Sequence, residues 1–191
     1  KVSTSIALWN WEDHIKTVGD NGMRVIISSW ARIDSRSLPI HAKAAANYAN
    51  SALARIEAIK SGVDEAVMLN MNGMVVEGTA ENIFIVKNEM LITPPITSGA
   101  LDGITRSSIL SIAQNLGINF RISDISRDEL YNAEEVFLAG TAAEIKSIGE
   151  IDKIIISDGK TGKIASKLQN YYSEIVHGNS KKFEDWLTYI N

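Results

Sequence analysis

Apolar and polar positions alternate in short blocks along this chain, and the period of each block predicts an element. Ser5 to Trp11 (SIALWNW) reads as an apolar strand that stops at Glu12-Asp13. Met23 to Trp30 (MRVIISSW) is a second strand, rich in β-branched residues. A polar stretch from Ala31 to Ile40 contains Pro39 and reads as a loop. From Ala42 to Lys60 the residues are good helix formers, and Gly62 is placed to stop the helix. Asp64 to Met71 and Met74 to Glu77 are strands around Asn72-Gly73, a two-residue hairpin signal. Ile83 to Val86 and Met90 to Thr93 form another hairpin around Lys87-Asn88-Glu89, and Pro94-Pro95 opens a loop that runs to Gly103.

The second half repeats this mixture. Ile104 to Leu116 has the 3.6-residue period of an amphipathic helix, closed by Gly117. Ile118 to Ile125 alternates as a strand, and Ser126-Arg127-Asp128-Glu129 is a capping box that starts a short helix. Glu135 to Ala139 reads as a buried strand that ends in Gly140-Thr141-Ala142-Ala143-Glu144. Two short strands are expected around Ile148 and over Ile154 to Ile156, then a helix from Ile164 to Val176. Tight hairpins interleave with helices, so the expected fold class is α/β in the mixed (α+β) sense: a mixed sheet with helices around it, not a doubly wound parallel sheet.

Composition narrows the function. The 191 residues suffice for one sizeable domain or two small ones, and 45% hydrophobic with 22% charged residues is the ordinary balance of a globular protein. A net charge of −4 without a long basic run argues against nucleic acid or an anionic membrane as partner. No cysteine is present, which excludes disulfides, thiolate metal sites and a cysteine nucleophile, and fits a reducing, cytoplasmic compartment. No G-x-S-x-G, H-E-x-x-H, Walker loop or G-x-G-x-x-G occurs, so hydrolase, metalloenzyme and dinucleotide readings lack support, and no metal is expected.

Candidate chemistry concentrates in a few segments. Lys43 lies among small neighbours in Ala42-Lys43-Ala44-Ala45-Ala46-Asn47-Tyr48. Most lysines are solvated surface charges; buried, this one would have a lowered pKa and a free amine able to attack a carbonyl. Glu77 ends an apolar strand in Met74-Val75-Val76-Glu77-Gly78-Thr79-Ala80-Glu81-Asn82. It is either a solvated strand-end acid or a carboxylate that keeps a heterocyclic nitrogen protonated. An imine-forming amine and such a carboxylate are the minimal kit for pyridoxal phosphate chemistry. Tyr48 is either a core tyrosine or a hydrogen-bond partner of the cofactor's phenolate oxygen. Leu101-Asp102-Gly103-Ile104-Thr105-Arg106 runs into a helix N-terminus, whose free N–H groups suit a phosphate or simply need a cap. Gly140-Thr141-Ala142-Ala143 is a turn whose N–H groups could cradle a second anion, or a plain connection.

Order and spacing connect these segments. Ser28-Ser29-Trp30, Ala42-Lys43, Asn47-Tyr48, Glu77 to Asn82, Thr93-Pro94-Pro95, Leu101 to Arg106 and Gly140 to Glu144 together resemble the branched-chain aminotransferases, members of the class IV, D-amino-acid-aminotransferase-like group of pyridoxal phosphate enzymes. The resemblance covers nearly the whole chain. It implies the large domain of that fold, a mixed sheet or pseudo-barrel with surrounding helices. It also implies an amino-group transfer between L-leucine, isoleucine or valine and 2-oxoglutarate. Lys43 matches the lysine that links covalently to pyridoxal 5'-phosphate and shuttles the proton. Tyr48 matches the partner of the cofactor's O3', and Glu77 the partner of its pyridine nitrogen. Leu101, Gly103, Ile104 and Thr105 match the segment that supports the ring and binds the phosphate. Thr141 matches a phosphate contact and, with Ala142, borders the site for the substrate carboxylate. Ala80 stands where relatives often carry glycine beside the active site.

The resemblance leaves two rivals on the same fold, a D-amino-acid aminotransferase and an aminodeoxychorismate lyase. The Gly140-to-Glu144 turn and the Leu101-to-Arg106 loop favour the branched-chain enzyme. A rival of another class is a non-catalytic binding or scaffold protein, against which Lys43 and Glu77 argue. The resemblance implies a smaller N-terminal domain, of which only the last strand, SIALWNW, is expected in this sequence. Residues 1–16 are therefore expected to be the remnant of that domain's last strand and the interdomain segment, with Trp11 matching a tryptophan there, and 17–191 the large cofactor-binding domain. Such a chain is expected to hold cofactor weakly on its own. Relatives assemble at least as homodimers, so a homodimer or higher homo-oligomer is expected.

Overall fold

The computed structural model describes residues 2–8 and 21–189. The described residues form nine strands and four α-helices. In chain order these are β1 (Met23–Ile27), α1 (Tyr48–Lys60), β2 (Glu65–Leu69), β3 (Val75–Glu77), β4 (Asn82–Lys87), β5 (Met90–Thr93), α2 (Ile104–Asn115), β6 (Phe120–Ile122), α3 (Arg127–Tyr131), β7 (Glu135–Gly140), β8 (Glu144–Ile151), β9 (Ile154–Ile155) and α4 (Lys163–Val176). The strands run in the order β3-β2-β1-β8-β7-β4-β5-β6, with β9 on β8, and β3 also pairs with β4. That extra pairing closes six strands into a ring. The mixed sheet is thus a pseudo-barrel, as the resemblance implies.

Parallel neighbours need a crossover connection, antiparallel neighbours do not. β1 and β2 are parallel, and α1 bridges them; β5 and β6 are parallel, and α2 bridges them. The remaining sequential pairs are antiparallel hairpins. Period-2 alternation sorts the strand side chains into two layers. In β4 and β7, Ile83, Ile85, Val136 and Leu138 point into the ring with Val25, Val67, Ile148 and Ile151. Phe84, Val86, Phe137 and Ala139 point outward beneath α2 and α4, against Ile109, Ile112, Leu168 and Ile175. Phe84 and Phe137 stack there with ring centroids 5.1 Å apart. Each buried ring contributes roughly 1.5–3 kcal/mol. A third, smaller layer seats Ala54 and Ala58 of α1 on Ala66 and Met68 of β2.

Several expectations change in detail. Residues 5–8 of the expected first strand belong to no strand and are exposed; 9–11, with Trp11, lie outside the described residues, as do all of 9–20 around the expected domain boundary. Asn72-Gly73 does not make a two-residue turn. The Gly73 N–H bonds to the Asn70 carbonyl at 2.9 Å and Gly73 alone has a positive φ, +78°, so the loop is Met71-Asn72-Gly73. The two-residue turn occurs instead at Asn88-Glu89, where both φ values are positive (51° and 57°) and Lys87 pairs with Met90. The type I′ geometry suits the strand twist. Ile148 lies inside the eight-residue β8, not in a short strand, because β7 and β1 pair along its length. The capping box at Ser126 forms as expected: Glu129 accepts the Ser126 backbone N–H at 2.9 Å.

Candidate active site

One pocket gathers residues from five separate segments. Arg32, Lys43, Tyr48, Ser51, Glu77, Ala80, Glu81, Asn82 and Leu101 all line it. It lies where β3 and β4 close the ring through the single residue pair Glu77 with Asn82.

Glu77 is the floor. It is 5% exposed, because β3 places it between β2 and β4. Its Oε1 meets Arg32 Nη2 at 2.9 Å, and its Oε2 accepts the Leu101 N–H at 3.0 Å and, more distantly, Asn82 Nδ2 at 3.5 Å. Burial pushes the carboxyl's pKa up, while the Arg32 guanidinium, the Leu101 N–H and the Lys43 charge all oppose that push. Arg32 is itself buried and donates to Ser51 Oγ at 3.2 Å. Asn82 Nδ2 donates to the Leu101 carbonyl at 2.9 Å and so ties the Leu101 loop to the seam.

Lys43 stands at the rim. It lies outside α1, in a three-residue turn closed by the Ala44 N–H on the Ala42 carbonyl at 2.7 Å. The buried Asn47 holds that turn from below: its Nδ2 donates to the carbonyls of Ala42 at 2.9 Å and Pro39 at 3.1 Å. The expected helix from Ala42 therefore starts with a 3-10 turn at Ala45–Asn47 and becomes α-helical at Tyr48. Lys43 is exposed in this chain, and the buried charge that it acts on is the Glu77 carboxylate. Tyr48, the first residue of α1, is also partly exposed at the rim.

The other expected residues lie around this pocket. Ala80 sits on the loop between β3 and β4. Gly103 caps α2 without a side-chain cap, and a Cβ there would collide with Asn82 Oδ1. Only glycine lets that helix start approach the seam so closely. Ile104 follows, 83% exposed, and Thr105 is buried. The first amides of α2 have no intrahelical acceptor, as at any helix start, and such a terminus suits an anion. Thr141 and Ala142 are exposed in the β7–β8 connection, which borders the pocket through Gly140; a Cβ on Gly140 would lie 3.4 Å from the Ala80 carbonyl oxygen. Lys43, Tyr48, Glu77, Ala80 and Leu101 thus share the pocket, with Gly103 to Thr105 and Thr141–Ala142 as its neighbours.

Arg32, Ser51, Asn47 and Glu81 are not legible as site residues in the sequence. Arg32 sits in a polar loop with no motif of its own. The signal that could find it is indirect: a buried glutamate demands a cation. Among the described residues no group of three or more His, Asp or Glu could hold a metal ion, and no helix is long and apolar enough to cross a membrane.

The model of the amino-transferase class IV family matches residues 1–151. The chain belongs to this family. A probable branched-chain-amino-acid aminotransferase of Aquifex aeolicus is 43% identical over 185 residues, 96% of this chain and 59% of that protein. The crystal structure of a branched-chain aminotransferase from Thermoproteus uzoniensis with norvaline superposes with a TM-score of 0.90 at 43% identity, covering 95% of this chain and 59% of the other. A branched-chain amino acid aminotransferase from T.th., complexed with N-(5'-phosphopyridoxyl)-L-glutamate, gives a TM-score of 0.88 at 43% identity, covering 90% and 57%. The chain spans about three-fifths of the length of these class IV relatives.

Proposed function

We propose that this chain carries the cofactor site of a branched-chain-amino-acid aminotransferase, which moves an amino group between L-leucine, isoleucine or valine and 2-oxoglutarate. The observation that carries the reading is the meeting of an amine, a phenol and a buried, paired carboxylate in one pocket: Lys43, Tyr48 and Glu77. The relatives' complexes support the substrate classes: one holds norvaline, an unbranched aliphatic amino acid, and another a phosphopyridoxyl adduct of glutamate.

The residues fit pyridoxal 5'-phosphate. The uncapped start of α2, brought close by Gly103, suits its phosphate, and a carboxylate held among three donors suits its ring nitrogen. When bound, pyridoxal phosphate supplies an aldehyde for amines and a ring that accepts the electrons left by a departing Cα proton. Lys43 Nζ would be the amine that anchors the cofactor's aldehyde, and as a free amine, displaced by the substrate's own amine, it would move the substrate's Cα proton. Glu77 would hold a proton on the ring nitrogen, and the Arg32 guanidinium favours the ionised form of Glu77 against its burial. Tyr48 would donate to the phenolate oxygen. Leu101, Ile104 and Ala80 would support the ring, Gly103, Thr105 and Thr141 would hold the phosphate, and Thr141 with Ala142 would border the substrate carboxylate. The working form is a homodimer or higher homo-oligomer, in keeping with Leu53, Ile56 and Ile59, which are exposed along α1.

Borohydride reduction of the intact protein loaded with pyridoxal phosphate, followed by peptide mapping, tests the anchor. Label on Lys43 is expected; label on another lysine, or on none, refutes it. Leucine against D-alanine as amino donor then separates the branched-chain enzyme from its D-amino-acid rival.

A further inference from the structure

Glu81 is buried in the pocket wall, and the proposed chemistry gives it no task. Its Oε2 accepts the Ala80 N–H at 3.1 Å, and its backbone carbonyl accepts the Gly78 N–H at 2.7 Å. Two glycines make room for its side chain. A Cβ on Gly78 would stand 2.8 Å from Glu81 Oε2, and one on Gly140 would stand 3.4 Å from Glu81 Cγ. The side chain is therefore packed between the β3–β4 loop, which carries Ala80, and the end of β7, which leads into Thr141 and Ala142. The two loops border the pocket from opposite strands, and Glu81 touches both.

We propose that Glu81 is a positioning residue that fixes the spacing between the Gly78–Ala80 loop and the Gly140–Ala142 turn, and through that spacing sets how tightly the pocket grips an anionic ligand. The ligand class rests on the pyridoxal phosphate reading above; the coupling of the two loops does not. The charged groups around Glu81 are Glu65 on β2, Glu77 on β3 and Arg55 on α1, and Arg55 is paired with Glu65 at 3.3 Å. The β7 side contributes Leu138 and Gly140, neither of them charged. Burial, then the Glu65 charge, push the Glu81 carboxyl up to about 7, against the Ala80 N–H and Arg55. Its folded value lies above the ordinary 4.5, so its contribution to stability is complete below about 4.5 and is lost as pH rises through about 7. Ionisation near neutrality then adds a third carboxylate to Glu65 and Glu77 and loosens both loops.

The test is hydrogen exchange by mass spectrometry on the intact protein, corrected for the intrinsic rate, combined with titration by pyridoxal phosphate at pH 6 and pH 8. In Glu81→Ala, the peptide covering 78–82 should exchange about tenfold faster, the scale of the lost Ala80 hydrogen bond, and the peptide covering 139–143, against which Glu81 packs, should also exchange faster, with α4 unchanged. Affinity for pyridoxal phosphate should fall by a similar factor. Glu81→Gln keeps an acceptor oxygen, so it should hold near wild-type exchange and lose the wild type's loosening between pH 6 and 8. Acceleration confined to 78–82 overturns the coupling, as does unchanged exchange in both segments. If Glu81→Ala does not fold, the pH series on Glu81→Gln decides: the same pH response as wild type overturns the proposal. Should wild type bind no pyridoxal phosphate, the cofactor reading fails, while the exchange data still judge Glu81.

Discussion

The floor and the rim of the pocket are built by opposite rules. The floor is Glu77 and Arg32, both buried, with Ser51, Leu101 and Asn82 as further partners. The rim is Lys43 and Tyr48, exposed side chains on a turn and a helix start, with the exposed Ile104, Thr141 and Ala142 as neighbours. A buried ion pair is costly to desolvate and is tolerated only when its geometry and remaining hydrogen bonds are good. The floor meets most of that condition: the pair sits at 2.9 Å with further partners on both sides, and Arg32 Nε is left without one. The floor is preorganised, whereas the rim offers reactive groups for something else to complete. The fixed part of the site is thus the buried ion pair, and the exposed part carries the lysine that the proposed chemistry would use.

Substitutions on each side should separate these rules. The largest effect is expected at the rim: Lys43→Ala should abolish the borohydride-trapped link and nearly all turnover, measured by leucine-dependent amino transfer, with the fold intact by circular dichroism. Retained steady-state turnover would remove Lys43 from its role. At the floor, Arg32→Met leaves Glu77 buried without its cation and should cost about 3–5 kcal/mol in denaturant unfolding. A loss below about 1 kcal/mol would show that the pair is not a structural element. Glu77→Gln keeps the shape of the floor and should slow Cα proton removal by about 10²-fold, read as solvent exchange of the substrate Cα proton; an unchanged rate would sever the floor from the chemistry. The smallest effect belongs to Asn47→Ala. It removes the amide under the Lys43 turn and should cost about 1 kcal/mol of stability, with faster exchange of the Ala44 amide. Unaltered exchange would mean that the turn holds its shape unaided.

The same division explains what could be read from the chain alone. Strand and helix periods are local, so β4, β7, α2 and α4 are legible within a residue or two of their ends. The Lys43, Tyr48 and Glu77 segments each have an ordinary reading and become candidates only through their order and spacing along the chain. Turn geometry is less so: Asn72-Gly73 carries the stronger hairpin signal, yet Asn88-Glu89 makes the tighter turn, because strand register decides between them. The start of α1 depends on the Asn47 amide reaching back to Pro39 and Ala42, a contact that no period encodes. Arg32 and Glu81 are invisible for the same reason. Their importance comes from which strands meet beside them, and the pairing of β3 with β4 joins the ring only in three dimensions.

That joint has a mechanical meaning. The six-strand ring is fastened at β3–β4 by one residue pair, Glu77 with Asn82, and both members face the pocket. A molecule seated there would act as a rivet across the weakest join of the barrel. Its binding energy would then add to the stability of the whole closed ring in proportion to RT ln(1 + [L]/Kd), so occupancy of the pocket and integrity of the fold would rise and fall together.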